Sequence, residues 1–286
     1  MKLLRYGPKG SEKPGMLDSN GIIRDLSGLI PDITARQLTP ESLRVLRALD
    51  PESLPAIHEP GRLGMPYTGM GKFVCVGLNY SDHAEESGQP VPDEPIIFAK
   101  WNSCAQGPND PIVLPRASKK TDWEVELGVV IGKKARYVSP EEAGEYIAGY
   151  CVVNDVSERE YQLERGGQWD RGKGCDTFGP IGPWLVSADE VVNPQSLNLW
   201  LDVNGKRYQN GNTDKMVFDV CFLISYISRY TTLEPGDLIS TGTPPGVGLG
   251  QNPPVYLRNG DVVTLGIEGL GEQRQTVHDW DATLLD

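Results

Sequence analysis

The chain has 286 residues, 38% of them hydrophobic, with 33 Gly and 23 Pro; that is enough apolar material for a large core but too many turn formers for a helical bundle, so the expected class is β-rich α+β. A formal charge of −12 argues against nucleic acid and anionic membrane surfaces as partners, and no run of about 18 apolar residues offers a membrane-spanning helix. Five singly scattered cysteines argue against a disulfide framework, and three histidines (His58, His83 and His278) nearly exclude a multi-histidine zinc site, so any metal site should use carboxylates and suit a hard ion.

The opening residues turn polar too soon for a secretory signal, which makes the cytoplasm the expected compartment. Leu3-Leu4-Arg5-Tyr6 reads as a strand, Asp18-Ser19-Asn20-Gly21 as a turn, and residues 21–26 as the returning strand. Thr39 as N-cap and Pro40 at the first helical position open a helix that runs to about Ala48. Linker composition over residues 59–66 places a boundary there, with a small N-terminal β-rich domain over 1–66 and a catalytic domain over 67–286. The second part is dense in strand patterns at residues 73–78, 123–131, 148–153, 197–203 (ending in an Asn204-Gly205 hairpin turn) and 261–267. One amphipathic helix is expected over 215–230, with Val217, Val220, Cys221, Ile224 and Ile227 on its core-packing face.

Chemistry concentrates in a few acids. In an extended Asp122-Trp123-Glu124-Val125-Glu126-Leu127 segment, Glu124 and Glu126 share one face about 7 Å apart at their α-carbons, while Trp123, Val125 and Leu127 bury on the other. Two ionised neighbours at the lip of a buried strand repel unless a cation sits between them; the alternative is an edge strand with a solvated acidic face, and both readings stand at this point. Asp155 follows an apolar strand and precedes Ser157-Glu158-Arg159-Glu160, which has the form of a capping box opening a short helix. Its structural alternative is ordinary turn chemistry. Three oxygen donors of this kind, completed by water or substrate, suit Mg²⁺ or Mn²⁺. Arg159 and Gln162 lie three apart and share a helical face. Lys173, fenced by Gly172 and Gly174 in a loop, can approach a ligand closely, although most loop lysines are merely solvated.

Five motifs in order then resemble the fumarylacetoacetate hydrolase family: Gly77-Leu78-Asn79-Tyr80-Ser81-Asp82-His83-Ala84-Glu85-Glu86, Asp122 to Leu127, Asn154-Asp155-Val156-Ser157, Lys173-Gly174-Cys175-Asp176-Thr177-Phe178-Gly179-Pro180, and Ser240-Thr241-Gly242-Thr243-Pro244-Pro245-Gly246-Val247-Gly248. The resemblance spans residues 73–272 and implies a rolled mixed β-sandwich, dimeric or tetrameric. It implies Glu124, Glu126 and Asp155 as metal ligands and His83 with Glu86 as a water-activating dyad. Lys173 would stabilise the substrate's carboxylate or developing enolate, and Arg159, Gln162, Gly242 and Thr243 would contact substrate. Members related to the tyrosine-degradation enzyme carry a further acidic ligand before the histidine; here Val74, Cys75 and Val76 are apolar, which points to the smaller three-carboxylate type.

The pattern, including the opening residues, is similar to hydrolases of 2,4-diketo-3-deoxy-L-rhamnonate and the L-fuconate counterpart. The implied reaction is Mg- or Mn-dependent cleavage of a small anionic diketo acid to pyruvate and lactate. The same site logic also serves ureidoglycolate lyases, oxaloacetate decarboxylases and diketo-acid isomerases.

Overall fold

In the computed structural model, which describes residues 1–86, 88 and 90–285, the chain opens with β1 (Lys2–Tyr6), β2 (Lys13–Leu17), β3 (Ile23–Asp25), α1 (Pro40–Arg47), β4 (Ala56–Ile57) and β5 (Leu63–Gly64). Next come β6 (Phe73–Gly77), α2 (Ser81–Glu86), β7 (Ile96–Lys100), β8 (Ala105–Gln106), β9 (Ile112–Val113), β10 (Thr121–Asp122) and β11 (Val125–Ile131). These are followed by β12 (Ile147–Asn154), β13 (Ser157–Glu158), α3 (Asp170–Lys173) and β14 (Gly179–Ser187). The remainder holds β15 (Asn198–Val203), β16 (Lys206–Asn212), α4 (Val220–Ser228), β17 (Leu238–Ser240), β18 (Val262–Ile267) and β19 (Gly271–His278).

A large mixed sheet runs β4-β3-β2-β1-β14-β12-β11-β17-β6-β7, and a second runs β16-β15-β18-β19-β9. The second packs over β11, β12 and β14 of the first, which gives the expected rolled mixed β-sandwich. One continuous hydrophobic cluster, including Leu127, Val152, Leu199, Leu201, Val263 and Leu265, fills the interior. β1 pairs antiparallel with β14 (Leu3 opposite Leu185), so the N-terminal strands extend the large sheet across the position of the sequence boundary.

Several details differ from the sequence reading. Strand β2 was hidden by Pro14 and Gly15. The expected 123–131 strand starts only at Val125, because side chains take the backbone donors before it: Asp122 accepts from the Trp123 N–H at 2.8 Å and Asn154 from the Glu124 N–H at 3.3 Å. The expected 215–230 helix shortens to α4, because Asp219 caps it by accepting from the Phe222 N–H at 2.7 Å. The Ser157 capping box is not formed: Ser157 pairs in β13 with Asp122, and its hydroxyl donates to the Asp155 carbonyl at 2.9 Å.

Candidate active site

The acids are brought together by strand register. In the antiparallel β11–β12 ladder Val125 faces Asn154 and Glu126 faces Val153; one step further the Asp155 N–H donates to the Glu124 carbonyl at 2.9 Å. Glu124 and Asp155 thus end neighbouring strands, and Glu126 projects to the same side two residues on. Carboxylate oxygens of Glu124, Glu126 and Asp155 lie within 4.8 Å of one another, and all three residues are buried. The solvated-edge alternative is excluded, because β11 lies between β12 and β17 and is buried along its whole length.

Cations partner two of these three acids. Lys173 Nζ donates to Glu124 Oε2 and Asp155 Oδ2, each at 2.7 Å. Arg159 binds Glu124 Oε1 through Nη2 at 2.8 Å, Asp122 Oδ2 through Nε at 2.8 Å and Gln162 Oε1 through Nη1 at 3.0 Å. Lys100 Nζ lies behind, 2.7 Å from Asp155 Oδ1 and 3.0 Å from the Val156 carbonyl, and also donates to the Lys173 carbonyl. Among the described residues no ion pair reaches Glu126; it accepts from the Ser240 hydroxyl at 2.6 Å and the Gly242 N–H at 2.9 Å, both on Oε2.

The proton affinities follow. Burial would push Glu124 up, but the Lys173 and Arg159 charges hold it well below the usual carboxylate range. Burial, with Asp155 and then Glu124 alongside, pushes Glu126 well above that range. Burial would lower Lys173, yet Asp155 and Glu124 raise it above an ordinary lysine. The cluster therefore holds four buried carboxylates (Asp122, Glu124, Glu126 and Asp155) against three buried cations (Lys100, Arg159 and Lys173). A carboxylate left without a counter-charge beside two others is the arrangement a hard divalent ion fits, and the oxygen-only donor set agrees.

His83 and Glu86 both lie on α2, with His83 Nδ1 at 3.0 Å from Glu86 Oε2. Glu86 in turn accepts the Gly246 N–H through Oε1 at 3.0 Å. With Nδ1 oriented by Glu86, Nε2 is the ring nitrogen left for proton transfer. One cavity of about 600 Å³ is lined by His83, Glu86, Glu124, Glu126, Arg159, Gln162, Lys173 and Thr243, with Asp155 beneath its floor. Apolar groups complete the lining, including Ile96, Phe98, Leu163, Trp169 and Leu249.

Two expected substrate contacts sit differently. Gly242 does not line the cavity; its N–H is taken by Glu126, its φ is +99°, and a Cβ there would meet the Asn79 Cβ at 2.8 Å, so glycine is a backbone requirement here. Thr243 does line it, but its hydroxyl donates to the Val125 carbonyl at 2.9 Å and accepts from Gln209 Nε2 at 2.7 Å. Lys173 ends helix α3 instead of lying in an open loop; Gly172 lets that helix pack on the preceding segment, since a Cβ would lie 2.4 Å from the Glu158 carbonyl oxygen. His58 is exposed and His278 half-buried on β19, both outside the cavity.

Sequence reasoning passed over two supporting residues. Lys100 closes an apolar strand, and a lysine in that position is the only signal it gives. Asp122 accepts from the Gly248 and Leu249 N–H groups at 2.6 and 2.9 Å as well as from Arg159, tying the glycine-rich loop to the acid cluster.

A buried acid cluster, the cations that partner most of it and an oriented imidazole opening on one cavity are the equipment of an enzyme rather than of a passive binding module. The chain belongs to the fumarylacetoacetate hydrolase family: the family model described as fumarylacetoacetate (FAA) hydrolase C-terminal matches residues 72–278. A Burkholderia multivorans protein that carries a provisional hydrolase name is 63% identical over 276 residues, 96% of this chain and 98% of that protein. Fumarylacetoacetate hydrolase from the psychrophile Exiguobacterium antarcticum superposes with a TM-score of 0.85 at 34% identity, covering 98% of this chain and 100% of the other. Maleylpyruvate hydrolase from Sphingobium sp. SYK-6, crystallised with manganese(II) and pyruvate, superposes with a TM-score of 0.83 at 29% identity over 98% and 100% of the two chains. No helix among the described residues is long and apolar enough to cross a membrane.

Proposed function

We propose that this enzyme is a Mg²⁺- or Mn²⁺-dependent hydrolase that cleaves the C3–C4 bond of a 2,4-dioxo acid, with 2,4-diketo-3-deoxy-L-rhamnonate or the L-fuconate counterpart as its substrate. The observation that carries this reading is the meeting of the His83–Glu86 pair with Glu124 and Glu126 at one cavity, with Asp155 in the same acid cluster. The manganese and pyruvate held by the Sphingobium relative support it.

Glu124, Glu126 and Asp155 would hold the divalent ion, which when bound acts as a Lewis acid toward the carboxylate and 2-oxo oxygens of the substrate. His83, held by Glu86, takes a proton from water as its oxygen bonds to the C4 carbonyl carbon. The C3–C4 bond breaks, and its electron pair passes to the pyruvyl fragment as an enolate. Lys173 and Arg159 keep positive charge beside that fragment. His83 returns the proton to C3; the products are pyruvate and a carboxylic acid, lactate for the sugar-derived substrates, which ionises. One water is consumed and no oxidant is needed.

A lyase or decarboxylase on the same acids would need no activated water, and the oriented imidazole is what favours hydrolysis. The test is pyruvate release across a panel of 2,4-dioxo acids with Mg²⁺ or Mn²⁺ added. The expected result is release that stops on chelation and returns with either ion. Undiminished release after exhaustive chelation, or none from any member of the panel, contradicts the proposal.

A further inference from the structure

Building on the proposed 2,4-dioxo acid chemistry, we propose that the acyl group beyond C4 must be uncharged and hydrocarbon-ended, so that the enzyme takes monocarboxylates and rejects chains with a second, terminal carboxylate. The argument is one of charge and of surface. With all four carboxylates ionised the cluster is one positive charge short; a bound divalent ion would leave one in excess, which the substrate's own C1 carboxylate balances. A second carboxylate has no such partner. Among the described residues the lysines and arginines that line the cavity are Arg159 and Lys173, and both are already in ion pairs with Asp122, Glu124 and Asp155. Glu86, the remaining lining carboxylate outside the acid cluster, adds negative charge instead.

The rest of the lining offers hydrocarbon. Phe98 and Trp169 meet edge to face with ring centroids 5.3 Å apart, and Ile96, Leu163 and Leu249 line the cavity with them. Trp169 lies so close to β6 that a Cβ on Gly77 would be 2.4 Å from its ring, so glycine there lets the indole pack against the strand. Thr243 has both hydroxyl functions engaged. Among the described residues Gln162 Nε2 has no partner, and it is a neutral donor that a substrate hydroxyl can satisfy. A short acyl group bearing one hydroxyl and ending in a methyl, as in 6-deoxy sugar acids, fits this lining; transferring an ionised carboxylate from water to it costs affinity with nothing to offset the loss.

Two matched pairs test this on the Mn²⁺-loaded enzyme. For binding, 2-oxopentanoate and 2-oxoglutarate differ only in a terminal methyl against a carboxylate, and quenching of tryptophan fluorescence gives their Kd values. For turnover, 2,4-dioxoheptanoate and 2,4-dioxoheptanedioate differ in the same way, and pyruvate release gives kcat/KM. The methyl-ended member of each pair should win by at least tenfold. Equal or tighter binding of 2-oxoglutarate, or equal turnover of the dioate, overturns the inference while leaving the hydrolase reading intact. If no pyruvate comes from either dioxo acid or from the sugar-derived substrates, the hydrolase reading fails and takes this inference with it.

Discussion

Replacing Lys100 with Met isolates the one cation of the cluster that does not line the cavity. Lys100 is 1% exposed and its partner Asp155 is 0% exposed, with 2.7 Å between Nζ and Oδ1. Methionine nearly matches the volume, so packing changes little, but Asp155 loses a counter-charge and the Val156 and Lys173 carbonyls lose a donor. Removing one partner of a buried pair costs about 3–5 kcal/mol when the other is left uncompensated; Asp155 keeps Lys173 at 2.7 Å, so the lower end of that range is expected. In a chain of this size each kcal/mol lost corresponds to a fall in Tm of about 2 °C. Urea unfolding followed by tryptophan fluorescence on metal-free protein measures the loss directly. Lys134→Met is the control: that lysine pairs with Glu234 at 3.0 Å on the surface and should leave the midpoint unchanged. If Lys100→Met loses less than about 1 kcal/mol, Asp155 does not depend on Lys100 and the charge count given for the cluster is wrong.

Other outcomes follow from the same geometry. Glu124→Gln and Asp155→Asn should each weaken Mn²⁺ binding by at least about a hundredfold, read by titration calorimetry, and abolish pyruvate release; ligand-level affinity in either variant contradicts the assignment. His83→Ala should keep Mn²⁺ affinity within about threefold of the parent and lose at least about 100-fold in hydrolysis, and full hydrolysis would remove the dyad from the mechanism. Burial together with Asp155 and Glu124 raises Glu126, so an incoming cation must displace a proton. Mn²⁺ binding should therefore release protons and tighten as pH rises, which calorimetry in buffers of different ionisation enthalpy will show, and a pH-independent affinity would refute it. By the same sign, stability contributed by protonated Glu126 in metal-free protein is present at low pH and lost as pH climbs through its raised value.

The parts of this site that were legible in sequence are those written in alternation and order. Glu124 and Glu126, two residues apart with Trp123, Val125 and Leu127 between and around them, announce a common face whether or not the strand formally begins at Val125. The pairing of His83 with Glu86 is legible as a three-residue helical step. What brings Asp155 beside Glu124 is the β11–β12 register, which is a tertiary fact; the apolar run ending at Asp155 located a strand end but not its neighbour.

The strands that were missed carry their burial on the wrong kinds of residue. β19 turns Gln273 and Gln275 inward, where Gln273 donates to the Val152 carbonyl at 2.8 Å, so a hydrophobic period never appears. β14 contains Gly179, Pro180, Gly182 and Pro183, which read as a loop until the neighbouring strands are in place. Lys100 and Asp122 were invisible for a related reason: a buried charge shows its purpose only when its partners, 55 and 37 residues away in the chain, are known.

The most direct measurement of the central claim is anomalous diffraction at the manganese edge from crystals soaked in Mn²⁺. The account predicts one strong peak coordinated by oxygens of Glu124, Glu126 and Asp155, with Lys173 and Arg159 still in contact with the cluster. A site with full manganese occupancy elsewhere, or no peak among these three carboxylates at saturating Mn²⁺, would contradict it.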